Sequence, residues 1–364
     1  MHKTSAWPLA LVYAGLVVYA SLYPFADWRN QGIEPWAFLF AALPKYWTGF
    51  DVAVNIAGYA PLGFLLALSA LRSGLTDRPV IVATVAGAGL SLVMETLQSY
   101  LPVRVPSNVD FALNTVGACL GAITAWLLEL AGVVAHWSRF RARWFVSDAR
   151  GALVLLALWP VALLFPAAVP LGLGQVLERV EAALADALED TPFLEWLPVR
   201  DVELQPLVPS AELVCVMLGA LVPCLLGYCV IRSRRQRAMF AVVMLGLGVC
   251  ASGLSAALSY GPAHAWQWLS LPVQVGLCAG AVLAAVLLPV PRRGCAALVL
   301  LALVLHLSVL NQAPASAYFW QTLQTWEQGR FIRFHGLAQW LGWLWPYAAL
   351  AYVIALVSQR DLEN

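Results

Sequence analysis

The chain has 364 residues, of which 61% are hydrophobic and only 11% charged, and its formal net charge is +1. Soluble domains carry about 25% charged residues. That composition excludes a single aqueous core, makes lipid the expected solvent, and gives no electrostatic reason to expect nucleic acid as a partner. The seven cysteines lie inside apolar runs or at their edges, with no CxxC pair facing a partner pair. They therefore argue against a zinc site and read as small buried hydrophobes. The five histidines form no HExxH-type pair.

A span needs roughly 20 apolar residues. Runs of suitable length predict an all-α, polytopic transmembrane bundle of about ten spans, at 7–25, 52–71, 80–101, 111–133, 151–173, 211–231, 238–258, 271–289, 295–311 and 338–357. The first run follows Lys3 but lacks a small-x-small cleavage site, so it is expected to be a retained span rather than a signal peptide. With the N-terminus inside, the inner connections hold fourteen Lys and Arg and the outer ones seven. This bias and the even span count predict an N-in, C-in topology.

Two connecting segments are expected to lie on the outer surface. Residues 28–50 read as a surface helix rich in Trp and Phe. The acidic segment 174–210 carries apolar residues at helical spacing (Val176, Leu177, Val180, Leu184, Leu188), as an interfacial amphipathic helix would. In the last outer loop, Arg330, Arg333 and His335 stand among several Trp residues. They read as an aromatic belt with snorkelling Arg, or as an anionic head-group site.

The second to fourth spans hold polar residues that lipid makes expensive. Asp51 and Asn55 stand four apart where the second begins, and Asp110 and Asn114 four apart where the fourth begins. Glu95 and Gln98 stand three apart near the end of the third, and Arg104 lies in the connection that follows. Each spacing puts both members on one helix face. On the N-in topology all seven gather at the outer end of their helices, in one pocket just below the outer surface, with Glu95 about 10 Å below the loop. Asp51 and Asp110 sit at helix N-termini, where the dipole favours an anion. Glu95 has no such help, and of the three it is the candidate general acid or base. Small residues supply packing faces: Gly117 and Gly121 on one helix, and Ala83, Gly87 and Ser91 on another.

The pattern Asp51-xxx-Asn55-xxxxx-Pro61-x-Gly63, Glu95-xx-Gln98, Arg104, Asp110-xxx-Asn114-xx-Gly117-xxx-Gly121 resembles the VanZ family over roughly residues 7–130. The resemblance implies a multi-pass protein of the bacterial plasma (inner) membrane. It implies action on lipid head groups or on lipid-linked cell-wall or polysaccharide precursors, and a link to glycopeptide (teicoplanin) resistance. The expected domains are a four-helix unit at 1–135, a basic cytoplasmic linker at 136–150, a degenerate repeat of the unit at 151–290, and two C-terminal spans at 291–364. The repeat is suggested by setting Pro102 on Pro262, which places Asp110 on Ser270 and Asn114 on Gln274, and by Glu212 opening its span as Asp51 does.

Three functions fit these residues. As a lipid-phosphate or head-group transferase or hydrolase, Glu95, Asp110 and Asp51 are the candidate catalytic groups, and Arg104, Gln98, Asn55 and Asn114 the candidate substrate-binding groups. The three carboxylates could share one Mg²⁺ or Ca²⁺, since hard cations take oxygen ligands. Alternatively, the pocket binds a lipid or glycan without turning it over, or the chain is a membrane scaffold.

Overall fold

The computed structural model describes residues 6–43, 49–196, 204–314 and 332–358. The fold is all-α. Seven of its helices are long and apolar enough to cross a membrane, and three shorter apolar helices lie at Ala6–Leu22, Arg150–Ala162 and Leu271–Val286. The chain is a helical, multi-pass membrane protein. It divides into two compact units, Met1–Arg143 and Trp144–Asn364.

In the first unit, α1 (Ala6–Leu22), α2 (Gly49–Ser73), α3 (Pro79–Gln98) and α4 (Asn108–Leu130) are followed by α5 (Val133–Trp144). Small residues let the helices approach closely, as van der Waals packing in lipid requires. A Cβ added to Gly117 or Gly121 on α4 would run into the backbone carbonyls of Ile56 and Ala60 on α2, and one added to Gly63 into that of Ala118. α3 enters through Ala83, Gly87 and Ser91, all buried. The positive φ of Gly132 (71°) breaks the chain between α4 and α5. Arg72, in the last turn of α2, donates to Ser138 Oγ on α5. The segment expected to be a basic linker is thus partly helical.

Residues 28–50 are not one surface helix. Among the described residues, 28–43 hold a short 3₁₀ turn at Ala37–Phe40, 44–48 lie outside those described, and 49–50 already open α2. Gly32, with φ 72°, and Pro35 interrupt any longer helix. The segment is tied to the bundle by Gln31 Nε2 donating to the Ser99 carbonyl at 2.8 Å and by the Arg29 amide donating to the Tyr100 carbonyl at 3.0 Å.

In the second unit, α6 (Arg150–Ala162) and α7 (Leu177–Leu188) precede α8 (Pro209–Tyr228), α9 (Arg234–Tyr260), α10 (Leu271–Val286), α11 (Arg292–Leu310) and α12 (Ile332–Ser358). α8 is the core helix. It is apolar all round, as a fully surrounded helix must be, and every residue from Leu218 to Tyr228 is buried. α9 opens with a capping box, Ser233 and Gln236 each bonding the other's backbone amide. One turn later the buried Arg237 donates to the carbonyls of Ile231, Leu288 and Val290, closing the ends of α8 and α10 with a single guanidinium.

The expected fifth span, 151–173, is helical only to Ala162. Pro166 and Pro170 stop the helix, and the chain continues as irregular backbone whose Leu163, Phe165, Val169, Leu171 and Leu173 are buried. α7 matches the expected amphipathic segment and buries no residue. Its first amides are capped from outside: Asn311 Oδ1 accepts from the backbone N–H groups of Val176 at 3.2 Å and Leu177 at 3.1 Å.

Candidate functional site

The site is assembled by how α3 ends and α4 begins. Pro102 and Pro106 bracket a connection that cannot remain helical. Ser107 then takes an extended conformation and caps α4, its Oγ accepting from the Asp110 amide at 3.3 Å. The Ser107 amide, freed from the helix, donates to Glu95 Oε2 at 2.8 Å. Glu95 is three residues from the end of α3 and only 3% exposed. It is therefore about 5 Å from the helix end. The α3 carbonyls at that end repel an anion, and the amide from the N-terminal end of α4 offsets them.

Each of three helices contributes a polar stripe at helical spacing. α2 supplies Asp51, Asn55 and Tyr59; α3 supplies Ser91 and Glu95; α4 supplies Asp110 and Asn114. Asn55 Nδ2 donates to Asp110 Oδ1 at 3.0 Å and to its own helix at the Asp51 carbonyl, also at 3.0 Å. Deeper in the bundle, Asn114 Nδ2 donates to Ser91 Oγ at 3.0 Å, and both residues are buried. Asp110 acts electrostatically on Glu95. The Tyr59 hydroxyl reaches the same Ser91 side chain, and among the described residues Asn114 Oδ1 is buried with no hydrogen-bond partner. An unsatisfied buried polar atom costs about 1–3 kcal/mol, so its place in this cluster calls for a reason.

The seven residues singled out from the sequence separate into two groups. Asp51, Asn55, Glu95, Asp110 and Asn114 lie on the α2–α3–α4 faces just described. Gln98 and Arg104 reach the other way. Gln98 Nε2 donates to the Ser21 carbonyl at 2.9 Å, and the Arg104 guanidinium donates to the carbonyls of Ala20 and Tyr23, closing the C-terminal end of α1. Both thus help α1 cover the site (a role the spacing did not suggest).

No three His, Cys, Asp or Glu side chains are grouped to hold a metal ion among the described residues. Asp110 accepts from the Asn55 amide and Glu95 from the Ser107 backbone N–H, and a shared Mg²⁺ or Ca²⁺ is not carried forward. Tyr59, Ser91 and Ser107 were missed from the sequence as members of this network. The signal for Tyr59 was its position four residues after Asn55, continuing the Asp51–Asn55 face. Ser91 was read as packing, and Ser107 needed the loop's path to be known. Of the last-loop residues, Arg330 and the side chains of Arg333 and His335 lie outside those described.

A buried carboxylate inside a bundle of apolar helices defines a membrane protein with a polar intramembrane site. Residues 6–129 match the VanZ/LLP1 family model, and all seven of the residues above fall within the match. The expected second copy at 151–290 lies outside it. No curated protein and no solved structure matches the chain.

Proposed function

We propose that this chain is a VanZ-like protein of the bacterial plasma membrane that acts, through the Glu95 site, on lipid head groups or on lipid-linked cell-wall or polysaccharide precursors. One observation carries the reading. A carboxyl group buried to 3% exposure shares a cluster with a buried polar atom, Asn114 Oδ1, that the protein leaves unpartnered. Groups that only glue helices together would satisfy one another. An unpartnered acceptor beside an acid suits a site that completes its hydrogen bonds with a substrate. Glu95 is the general acid or base, with Asp110 and Asp51 at its mouth, and Asn55 and Asn114 orient the polar end of the ligand. Arg104 and Gln98 hold α1 over the site, and Arg104 lies near enough to the loop to meet a phosphate. The family link to teicoplanin resistance belongs to the same reading.

Ten spans with both termini inside are part of this proposal, supported by the fourteen-to-seven bias of basic residues. So is a degenerate second unit at 151–290. Its support is that Gly276 and Gly280 of α10 approach the carbonyls of Leu213 and Met217 of α8, as Gly117 and Gly121 of α4 approach those of Ile56 and Ala60 of α2. In that register Glu212 takes the place of Asn55, one helical turn from the Asp51 position that the sequence pattern suggested. Ser270 Oγ donates to Glu212 Oε1 at 3.4 Å across the same helix pair that Asn55 and Asp110 join.

The experiment compares membrane lipids by mass spectrometry from cells making the wild-type chain and cells making Glu95→Gln at equal membrane levels. A lipid or lipid-linked glycan that changes with the wild type alone supports the proposal and names the substrate class. Identical profiles transfer the reading to a binding or scaffolding protein.

A further inference from the structure

The second unit holds a pair of adjoining cavities that the Glu95 site does not use. One, of about 270 Å³, opens between α8, α9 and the irregular segment after α6. The other, of about 390 Å³, shares Ala256, Tyr260 and Trp268 with it and extends to His264 and Gln267. The polar lining of the first is a single carboxylate, Glu212, with Ser252, Ser255, Ser270 and Tyr260. Its opposite wall is apolar, formed by Leu163, Phe165 and Pro166.

We propose that this double cavity binds a neutral sugar carried on an apolar tail. Four features carry the inference. No Lys or Arg lines either cavity among the described residues, so a phosphate would meet Glu212 with nothing to offset the repulsion. Trp268 Nε1 already donates to the Ala265 carbonyl at 3.0 Å, so what the indole offers a ligand is its ring face, the surface on which the C–H face of a sugar stacks. The hydrogen-bonding groups are mostly neutral and mixed, with hydroxyls, the Gln267 amide and the His264 imidazole surrounding one acceptor carboxylate. Ser255 Oγ already donates to the Leu164 carbonyl and Ser270 Oγ to Glu212, so those hydroxyls are left as acceptors beside the Gln267 amide donor, and the mixture suits a ring of hydroxyls, each both donor and acceptor, better than a compact cation, which would leave the amide donor unused. Finally, the apolar wall gives an alkyl chain a path along the same groove. The site is separate from Glu95, so it stands or falls independently of the activity proposed there.

The test uses the full chain in phospholipid nanodiscs and three photoreactive probes with one alkyl-diazirine tail. Their heads are β-glucoside, phosphocholine and trimethylammonium, and adducts are mapped by mass spectrometry. The expected result is saturable labelling by the glucoside within residues 252–270, competed by octyl glucoside. Trp268→Ala should weaken it about tenfold, the loss of one aromatic contact. Trp268→Phe, which keeps a ring, should lose less, and Glu212→Gln should lower affinity while thermal stability is unchanged. Equal labelling by the phosphocholine probe would overturn the proposal in favour of a general lipid groove. Preferential labelling by the trimethylammonium probe would overturn it in favour of a cation site. Glucoside labelling that survives both Trp268→Ala and Glu212→Gln would overturn it outright.

Discussion

The backbone amide of Ser107 is 2.8 Å from Glu95 Oε2, twelve residues back along the chain. A residue that caps one helix thereby holds the acid of another. Gln at position 95 keeps a carbonyl oxygen for that amide but loses the proton and the charge. Glu95→Gln should therefore insert and melt like the wild type while losing the lipid change that the wild type produces. Glu95→Ala leaves the amide without its acceptor and should also destabilise the first unit, by about 1–3 kcal/mol. Thermal unfolding of purified protein separates the two effects, and equal melting of the two variants would remove Ser107 from the account.

The contact between Asn55 and Asp110 carries a second prediction. Asn55 Nδ2 donates to Asp110 Oδ1 across α2 and α4. Asn55→Asp sets two carboxylates against each other and should destabilise the protein. Asp110→Asn on the same background should restore the pair with its polarity reversed. The coupling expected from a double-mutant cycle is about 0.5–3 kcal/mol, measured by denaturant or thermal unfolding in detergent. Additive effects would show that the bond contributes nothing to the packing of α2 on α4.

How much of this could be read from the chain depended on the range of the interaction. Apolar runs located ten helices because hydropathy is a local property. Asp51–Asn55 and Asp110–Asn114 were legible because helical spacing fixes which residues share a face. What failed was non-local. Residues 28–50 contain enough Trp and Phe to read as an interfacial helix, yet the Gln31 side chain and the Arg29 backbone amide are bonded to the carbonyls of Ser99 and Tyr100. The bond from the Arg104 guanidinium to the end of α1, some eighty residues earlier, had no local pattern to announce it. Ser107 gave no signal, because its importance lies in its amide, which every residue except proline possesses.

Close approach of α2 and α4 gives a prediction about packing. At Gly121 an added Cβ would strike the Ala60 carbonyl, and neither backbone can yield without separating the helices. Gly121→Ala should cost about 1–3 kcal/mol, the usual penalty of overpacking. Gly89 on α3 has open space around its missing Cβ, so Gly89→Ala should be neutral or stabilising by up to about 1 kcal/mol from helix propensity. Melting temperatures of both variants at equal detergent concentration test the pair. A neutral Gly121→Ala would mean that α2 and α4 are further apart than described.

The segment after α6 makes the topology testable where it is least conventional. α6 has 13 residues and spans about 20 Å, short of the roughly 30 Å of hydrocarbon. If the chain crosses here, residues 163–176 complete the passage as irregular backbone, which lipid tolerates only where protein satisfies its polar groups. The Gly172 amide donates to the Val169 carbonyl at 2.8 Å, the Gly174 amide to the Gly342 carbonyl at 2.8 Å, and the Val176 amide to Asn311 Oδ1 at 3.2 Å. Leu163, Phe165, Val169, Leu171 and Leu173 of this segment are buried. Alkaline phosphatase, active only outside the plasma membrane, is inserted after Ser147 in one fusion and after Asp190 in another. The N-in, C-in topology expects activity at Asp190 and none at Ser147. Activity at Ser147 alone would invert the unit. Equal activity at both sites would make α6 and the segment after it a hairpin that enters and leaves on one side, and the span count would then fall by one.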